Sequence, residues 1–417
     1  MSLVPVHGGL SDLINRTLPW SARKSLIEKS SSLPSVTLNE GDLATLHRIA
    51  DGTLSPLEGF MDEAEHNLVL DHQHIVRGGA PYAWTIPLSL PVTDEERAAL
   101  SVGGEAILRD PSGAIVGVIE ISSIFGWDKA RFVEKVYGTA RMDHPGADIV
   151  TRDARATLVG GKIQALPPAV NPAFGEAVLP PRVTRAIIAA RGYEAALAFQ
   201  TRNPLHRAHE YALVYGAETL TRQGLYTGVF LNPLVGQLKG DDVDAATRMR
   251  TYRALQVSRS LGEGDSDKAL WESKGYDLND VFHLVGLDMR MFYGGPAEAV
   301  MHAIYRQNHG FSHIVIGRKH ADAPYHDKTA IWGDFDAQEI FGKLQGALST
   351  KPVNVGFAAY YESIGRVDLT ENHPNEKPLN IAGTKIREAL VSGERPDPRV
   401  MRPSTADILI DAYRAQG

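Results

Sequence analysis

Residues 195–210 read AALAFQTRNPLHRAHE, and their order of residue types decides the fold. Residues 195–199 have the length and composition of a strand buried on both faces. The polar run after them opens a helix predicted over about 205–223. Pro204 suits the first turn of that helix, where its missing N–H costs nothing, and Asn203 before it suits the cap. A strand entering a helix through a short polar turn begins a βαβ unit. In parallel sheets built from such units, ligands bind beyond the carboxyl ends of the strands. Gln200, Arg202, His206 and His209 therefore sit where chemistry is expected. His206 and His209, three apart, share one face of the first turn, where free N–H groups and the helix dipole favour anions. Arg202 adds a planar cationic fork and Gln200 an amide. Two histidines alone are too few ligands for zinc. Glu210 directly after His209 also breaks the HExxH spacing of a metalloprotease helix.

Outward from this stretch, strands predicted at 225–231, 281–287 and 312–316 alternate with helices, including one over 296–308. That alternation predicts a parallel sheet covered on both faces. Residues 261–280 read as an exposed loop with a short helix. The last segment holds a strand over 353–361 and helices over 384–391 and 405–415. Before the Pro180-Pro181 pair the pattern is mostly β. A hairpin is predicted from 106–108 and 115–119 around Asp110-Pro111-Ser112-Gly113. A strand spans 82–92, confined to an edge or bend by Pro87 and Pro91. Helices are predicted over 40–51 and 94–100, the second with Thr93 and Glu96 at capping-box spacing. The division is thus 1–180, 181–344 and 345–417.

Composition narrows the chemistry. The 417 residues carry 43 Lys+Arg against 50 Asp+Glu, a net charge of −7, which argues against a dedicated nucleic-acid binder. No run approaches the ~18 apolar residues of a membrane span, and residues 1–14 lack a secretory pattern. There is no cysteine, which excludes disulfides, thiol catalysis, iron–sulfur clusters and cysteine-ligated zinc. The chemistry rests on oxygen, nitrogen and a hard metal ion.

Three further loops carry candidates. Gly317-Arg318-Lys319-His320-Ala321-Asp322 follows the strand at 312–316, and Gly317 lets a backbone approach a ligand closely. In 232–242 (NPLVGQLKGDD), Lys239 is placed to hold a phosphate, and Asp241 and Asp242 either order the loop or lie near Mg²⁺. Gly383-Thr384-Lys385-Ile386-Arg387 opens a helix with a hydroxyl, Lys385 and Arg387. No GxxxxGK[ST] occurs and no GxGxxG follows a strand, so neither P-loop nor dinucleotide fingerprint is present.

QTRNPLHRAHE (200–210) closely resembles the signature of the ATP sulfurylase family, within the HxxH nucleotidyltransferases. HGG (7–9), SPLEGFM (55–61), VYGTARMDHPGA (136–147), NPLVGQLKGDD (232–242), YGGPAEAVMHAIYRQNHG (293–310) and GTKIR (383–387) extend the resemblance over most of the chain. It implies an α/β protein with a PUA-like N-terminal β domain, a Rossmann-like parallel-sheet catalytic domain and a small C-terminal α/β domain. The implied reaction is ATP + sulfate ⇌ adenosine 5′-phosphosulfate + pyrophosphate, with Mg²⁺ on the phosphates and no protein-bound zinc. On matching positions, Gln200, Arg202 and the backbone of Ala321 take sulfate. Gln200, Thr201, Arg202, Asn203, Gly317, Arg318, Lys319, His320 and Ala358 contact ATP. Thr201, Arg202 and Asn203 fill active-site positions, and His206 and His209 the transition-state positions. A cytoplasmic homodimer or larger homo-oligomer is implied, with no membrane or nucleic-acid partner and no fused adenylylsulfate kinase or fungal-type regulatory domain.

The family's GRDHAG is here GRKHAD, so Lys319 replaces an acid and Asp322 a small residue. Lys319 beside phosphates favours polyanions, with Asp322 as its expected partner, an arrangement suited to the ATP-forming direction. A basic pocket is expected from Arg202, His206, His209, Arg318, Lys319, His320, Lys385 and Arg387. Two alternatives remain open at this point: an HxxH nucleotidyltransferase with another acceptor, and a decayed RNA-binding or scaffold protein.

Overall fold

The computed structural model describes residues 3–236, 243–379 and 383–416. The N-terminal strands are β1 (Ser35–Thr37), β2 (Gly59–Phe60), β3 (His74–Arg77), β4 (Ala80–Ala83), β5 (Leu90–Val92), β6 (Glu105–Arg109), β7 (Ile115–Gly126) and β8 (Thr157–Ala165). They form a sheet in the order β1-β6-β7-β8-β2 with β5 also on β8, plus a separate β3-β4 pair. The predicted hairpin is β6–β7, and the Asp110 carboxylate closes its turn by accepting from the N–H groups of Ser112 and Ala114. Thr93 and Glu96 make the reciprocal capping box at the head of the Asp94–Ala99 helix. The single strand expected over 82–92 is instead two, β4 and β5, in different sheets. Between them Pro87 has no N–H for a ladder, and Trp84 turns inward, fully buried, its indole N–H donating to the Ile86 carbonyl.

The strand at 195 begins a second sheet. Its members are β9 (Ala195–Thr201), β10 (Thr227–Pro233), β11 (Phe282–Leu284), β12 (His313–Ile316) and β13 (Lys351–Asn354), all parallel in the order β11-β10-β9-β12-β13. Every residue of β10 is buried, as a strand covered on both faces requires. The order reverses between β9 and β12, which makes the crevice above them the topological switch point.

The strand expected over 353–361 also divides. Residues 351–354 complete the parallel sheet as β13, and the chain then turns into a hairpin of β14 (Ala358–Tyr361) and β15 (Arg366–Leu369). That hairpin leaves the sheet to pack on the Arg207–Arg222 helix, where the Tyr211 hydroxyl donates to Asp368 at 2.9 Å.

The Gly295–Asn308 helix is buried along nearly its whole length. Val300, Met301, Ile304 and Tyr305 join the N-terminal core, while Ala299 and Ala303 pack on Ile314 and Ile316 of β12. An all-round buried helix of this kind fixes one unit against the other. Residues 261–280 contain the predicted short helix, Lys268–Lys274, but are not an exposed loop. Leu261, Trp271 and Leu278 are buried in the core of the parallel sheet, because Trp271 carries too much apolar surface to leave in water. The helices Gly383–Ser392 and Pro403–Gln416 close the chain around Leu390, Leu409 and Ile410. Among the described residues, no helix is long and apolar enough to cross a membrane.

Candidate active site

β9 carries Gln200 and Thr201 to the switch point, and the helix after it starts at Arg207 with His206 as cap. The expectation that Asn203 caps the helix is corrected. The Thr201 hydroxyl donates to the Asn203 carbonyl at 2.9 Å and accepts from its N–H at 3.3 Å, while the Tyr252 hydroxyl reaches the same carbonyl at 2.8 Å. This local turn holds Asn203 outside the helix, and His206 Nδ1 accepts from the His209 N–H at 3.4 Å instead. The two rings then stack, centroids 3.8 Å apart.

Burial pushes His206 down to about 3, helped by its neighbour His209, and burial alone pushes His209 down to about 4. Both are neutral imidazoles at neutral pH. His320 also lies well below its ordinary range through burial. The expected basic pocket is therefore corrected: these three histidines contribute N–H donors and ring nitrogens, and the fixed charge near the strand ends comes from Arg202, Arg318 and Lys319. Arg202 lies 5.6 Å from the Tyr293 ring centroid.

The loop after β12 is tightly bent. Lys319 and Ala321 both have left-handed backbones, φ +50° and +57°, a conformation that side chains with a Cβ adopt at a cost of about 1 kcal/mol or more. The Ala321 carbonyl accepts from the N–H of Gly295 at 3.1 Å, and the Lys319 N–H donates to the Asp334 carbonyl at 2.9 Å. The Asp334 carboxylate also meets Arg318 at 3.2 Å and Lys319 at 3.6 Å. Lys319 thus pairs with Asp334, not with Asp322 as expected. Asp322 keeps a buried oxygen with no hydrogen-bond partner, and burial raises its carboxyl against the pull of Lys319. The Arg318 guanidinium lies 3.7 Å from the Phe357 ring centroid, which brings the start of β14, and so Ala358, beside this loop.

The two strand-end loops meet through a residue of the Gly295–Asn308 helix. His302 Nδ1 lies 2.9 Å from His320 Nε2, and His302 Nε2 lies 3.4 Å from Gln200 Nε2. Gln200 and His320 are thereby joined through one buried histidine. Thr201, Arg202 and Asn203 follow Gln200 directly, and Gly317, Arg318, Lys319 and Ala321 share the loop of His320. Ala358 lies beside Arg318, and His206 and His209 stand at the head of the helix after β9. Lys385 and Arg387 are exposed on the Gly383–Ser392 helix, and no hydrogen bond or ion pair among the described residues joins them to these loops. Lys239, with Asp241 and Asp242, lies outside the described residues.

A family model described as ATP-sulfurylase matches residues 175–412, and one described as a PUA-like domain matches residues 4–168. The chain belongs to the ATP-sulfurylase family. A sulfate adenylyltransferase of Pyropia yezoensis is 55% identical over 99% of this chain and 97% of its own length. One of Acaryochloris marina is 35% identical over 98% of this chain and 97% of its own. In fold, the chain is similar to a hexameric APS kinase from Thiobacillus denitrificans, with a TM-score of 0.71 and 19% identity over 98% of this chain and 68% of that one.

Several residues that shape the candidate site went unread in the sequence. Glu298 accepts from the N–H groups of Phe292 and Gly294, each at 2.9 Å, and lies 3.4 Å from His302. The one signal was their spacing: two polar residues four apart within the otherwise apolar stretch 297–304. The head of the histidine helix is braced by Arg207 on Asp265, at 2.8 and 2.6 Å, and Asp265 also accepts from the Val367 N–H. One turn on, Glu210 is buried and takes the Arg402 guanidinium at 2.8–2.9 Å. The Arg207 N–H donates to the Val400 carbonyl. The 261–280 segment and the chain's last part therefore hold the HxxH turn in place.

Proposed function

We infer that this chain is a sulfate adenylyltransferase, catalysing ATP + sulfate ⇌ adenosine 5′-phosphosulfate + pyrophosphate. The observation that supports this reading is the link of the β9 and β12 loops at the switch point, where His302 contacts both Gln200 and His320. Sulfate is a weak nucleophile, so the protein's task is alignment and charge stabilisation with no covalent intermediate. Gln200, Arg202 and the backbone N–H of Ala321 hold the sulfate. Residues 200–203, the Gly317–His320 turn and Ala358 hold the nucleotide. A sulfate oxygen attacks the α-phosphorus in line, the bond to the bridging oxygen breaks, and pyrophosphate leaves. His206 and His209 donate N–H groups to the charge growing on the α,β-phosphates.

Mg²⁺ belongs with the substrate polyphosphate, where it neutralises charge. Among the described residues no cluster of three or more His, Asp or Glu side chains could hold a metal of its own. The left-handed Lys319, at the rim of the crevice, adds a cation for pyrophosphate and suits the ATP-forming direction. A cytoplasmic homo-oligomer completes the proposal, and light scattering on the purified protein tests the assembly.

The deciding experiment is pyrophosphate release from ATP with sulfate, and AMP formation with molybdate, which mimics sulfate but gives an unstable anhydride. Pyrophosphate release that needs sulfate, with molybdate-driven AMP formation, is expected. ATP turnover indifferent to both anions assigns a different acceptor.

A further inference from the structure

Beneath the crevice runs a buried polar chain: Glu298, His302, then Gln200 on one side and His320 on the other. Glu298 and His302 have no exposed surface. Glu298 already accepts two backbone N–H groups and is held as an acceptor. The ring atom facing it, His302 Nε2 at 3.4 Å, must therefore carry the proton. A neutral imidazole has one N–H, so His302 Nδ1 is an acceptor and takes the proton of His320 Nε2 at 2.9 Å. Burial keeps both rings neutral.

This tautomer fixes Gln200. The single Nε2–H of His302 is shared between Glu298 and Gln200, each 3.4 Å away. The near end of the Gln200 amide therefore faces a donor, while its other end is buried with no protein partner. The two ends of an amide have the same shape, so hydrogen bonding decides which way it turns. A donor at His302 demands the amide oxygen, which leaves the NH₂ group at the unpartnered position.

We propose that His302, held by Glu298, is a positioning residue for the anion site: it takes the Gln200 oxygen, turns the NH₂ group to the substrate oxyanion, and selects against protonated anions. This rests on the reading that Gln200 faces sulfate. Sulfate carries no proton at neutral pH and needs donors only. Monohydrogen phosphate has an O–H that needs an acceptor, and a locked amide offers it none.

The test compares wild type with His302→Leu, which has neither ring nitrogen, and His302→Gln, whose NH₂ group reaches the Nε2 position. The readouts are KM for sulfate, the inhibition constant of phosphate against sulfate, and the thermal midpoint. His302→Leu should raise KM for sulfate about tenfold, the scale of one lost hydrogen bond to a charged group. It should also improve phosphate inhibition relative to sulfate KM, and His302→Gln should restore that ratio. An unchanged ratio in a folded His302→Leu protein overturns the proposal, even where activity falls. A second measurement needs no active variant: ¹⁵N chemical shifts of labelled histidine in the wild type, with His302 assigned by its loss in His302→Gln. A proton on Nε2 supports the proposal and a proton on Nδ1 overturns it. Failure of the underlying reading shows separately, as wild-type protein with no sulfate- or molybdate-dependent turnover.

Discussion

The imidazole rings of His206 and His209 stack with centroids 3.8 Å apart and planes inclined by 23°. Two cationic rings at that distance would repel strongly, and burial keeps both neutral. On the proposed reading they serve as paired N–H donors, in the manner of an oxyanion hole. His206→Ala or His209→Ala should lower kcat by ~10²–10³-fold, as losing such a donor does, with KM for ATP changed much less. Steady-state rates on both variants check this, and near-wild-type rates in both would refute the assignment. Because a neutral donor keeps its N–H at high pH, wild-type kcat should hold between about pH 7 and 9.

The same burial makes the fold sensitive to acid. His206 is pushed down to about 3, and His7, His47, His66, His209, His283 and His313 to about 4, all from 6.5. Between pH 6.5 and 4 the unfolded chain binds protons that the native state refuses, so stability rises with pH across that window. Asp51, Glu210, Glu218 and Asp322, raised by burial, act in the opposite sense, but they are outnumbered. Tm should fall steadily from pH 7 to pH 5. A constant Tm over that range would contradict the assignment.

The sequence made the site legible where its residues are neighbours in the chain. Residues 195–210 expose a strand, a turn and a helix start in order, and the strand-to-loop passage at 312–322 repeats the cue. What stayed hidden acts across the chain. Glu298 and His302 look like ordinary polar residues until β9 and β12 come to lie beside their helix. Asn203 has the right type for a cap, yet the Thr201 hydroxyl ties it first. Asp322 sits close to Lys319 in sequence, but the tight turn hands Lys319 to Asp334. Strand breaks near Pro87 and Gly356 show only once two sheets compete for the flanking residues.

Lys319 should matter for substrate rather than for stability. Its ion pair with Asp334 is 3.6 Å long with both side chains more than a third exposed, and exposed pairs contribute ~0–1 kcal/mol. Lys319→Asp should leave Tm within a few degrees of wild type and raise KM for pyrophosphate about tenfold, or ~1.4 kcal/mol. Initial rates in the ATP-forming direction measure it. An unchanged KM removes Lys319 from the phosphate site and with it the argument for that direction.

Glu210 and Arg402 offer the sharpest test of how the HxxH turn is held. Their side chains are 1% and 10% exposed and meet at 2.8 Å. Burial drives the Glu210 carboxyl up while the Arg402 charge pulls it down. Arg402→Met strands a buried carboxylate, so unfolding free energy at pH 7.5 should fall by ~3–5 kcal/mol. Without the arginine, Glu210 takes up a proton more readily, and part of the loss should be recovered as pH is lowered toward 6. Arg402→Met combined with Glu210→Leu removes both charges and should be more stable than Arg402→Met alone. Urea unfolding of wild type and the two variants measures these differences. A double variant no more stable than the single one would show that Arg402 acts through packing rather than through Glu210.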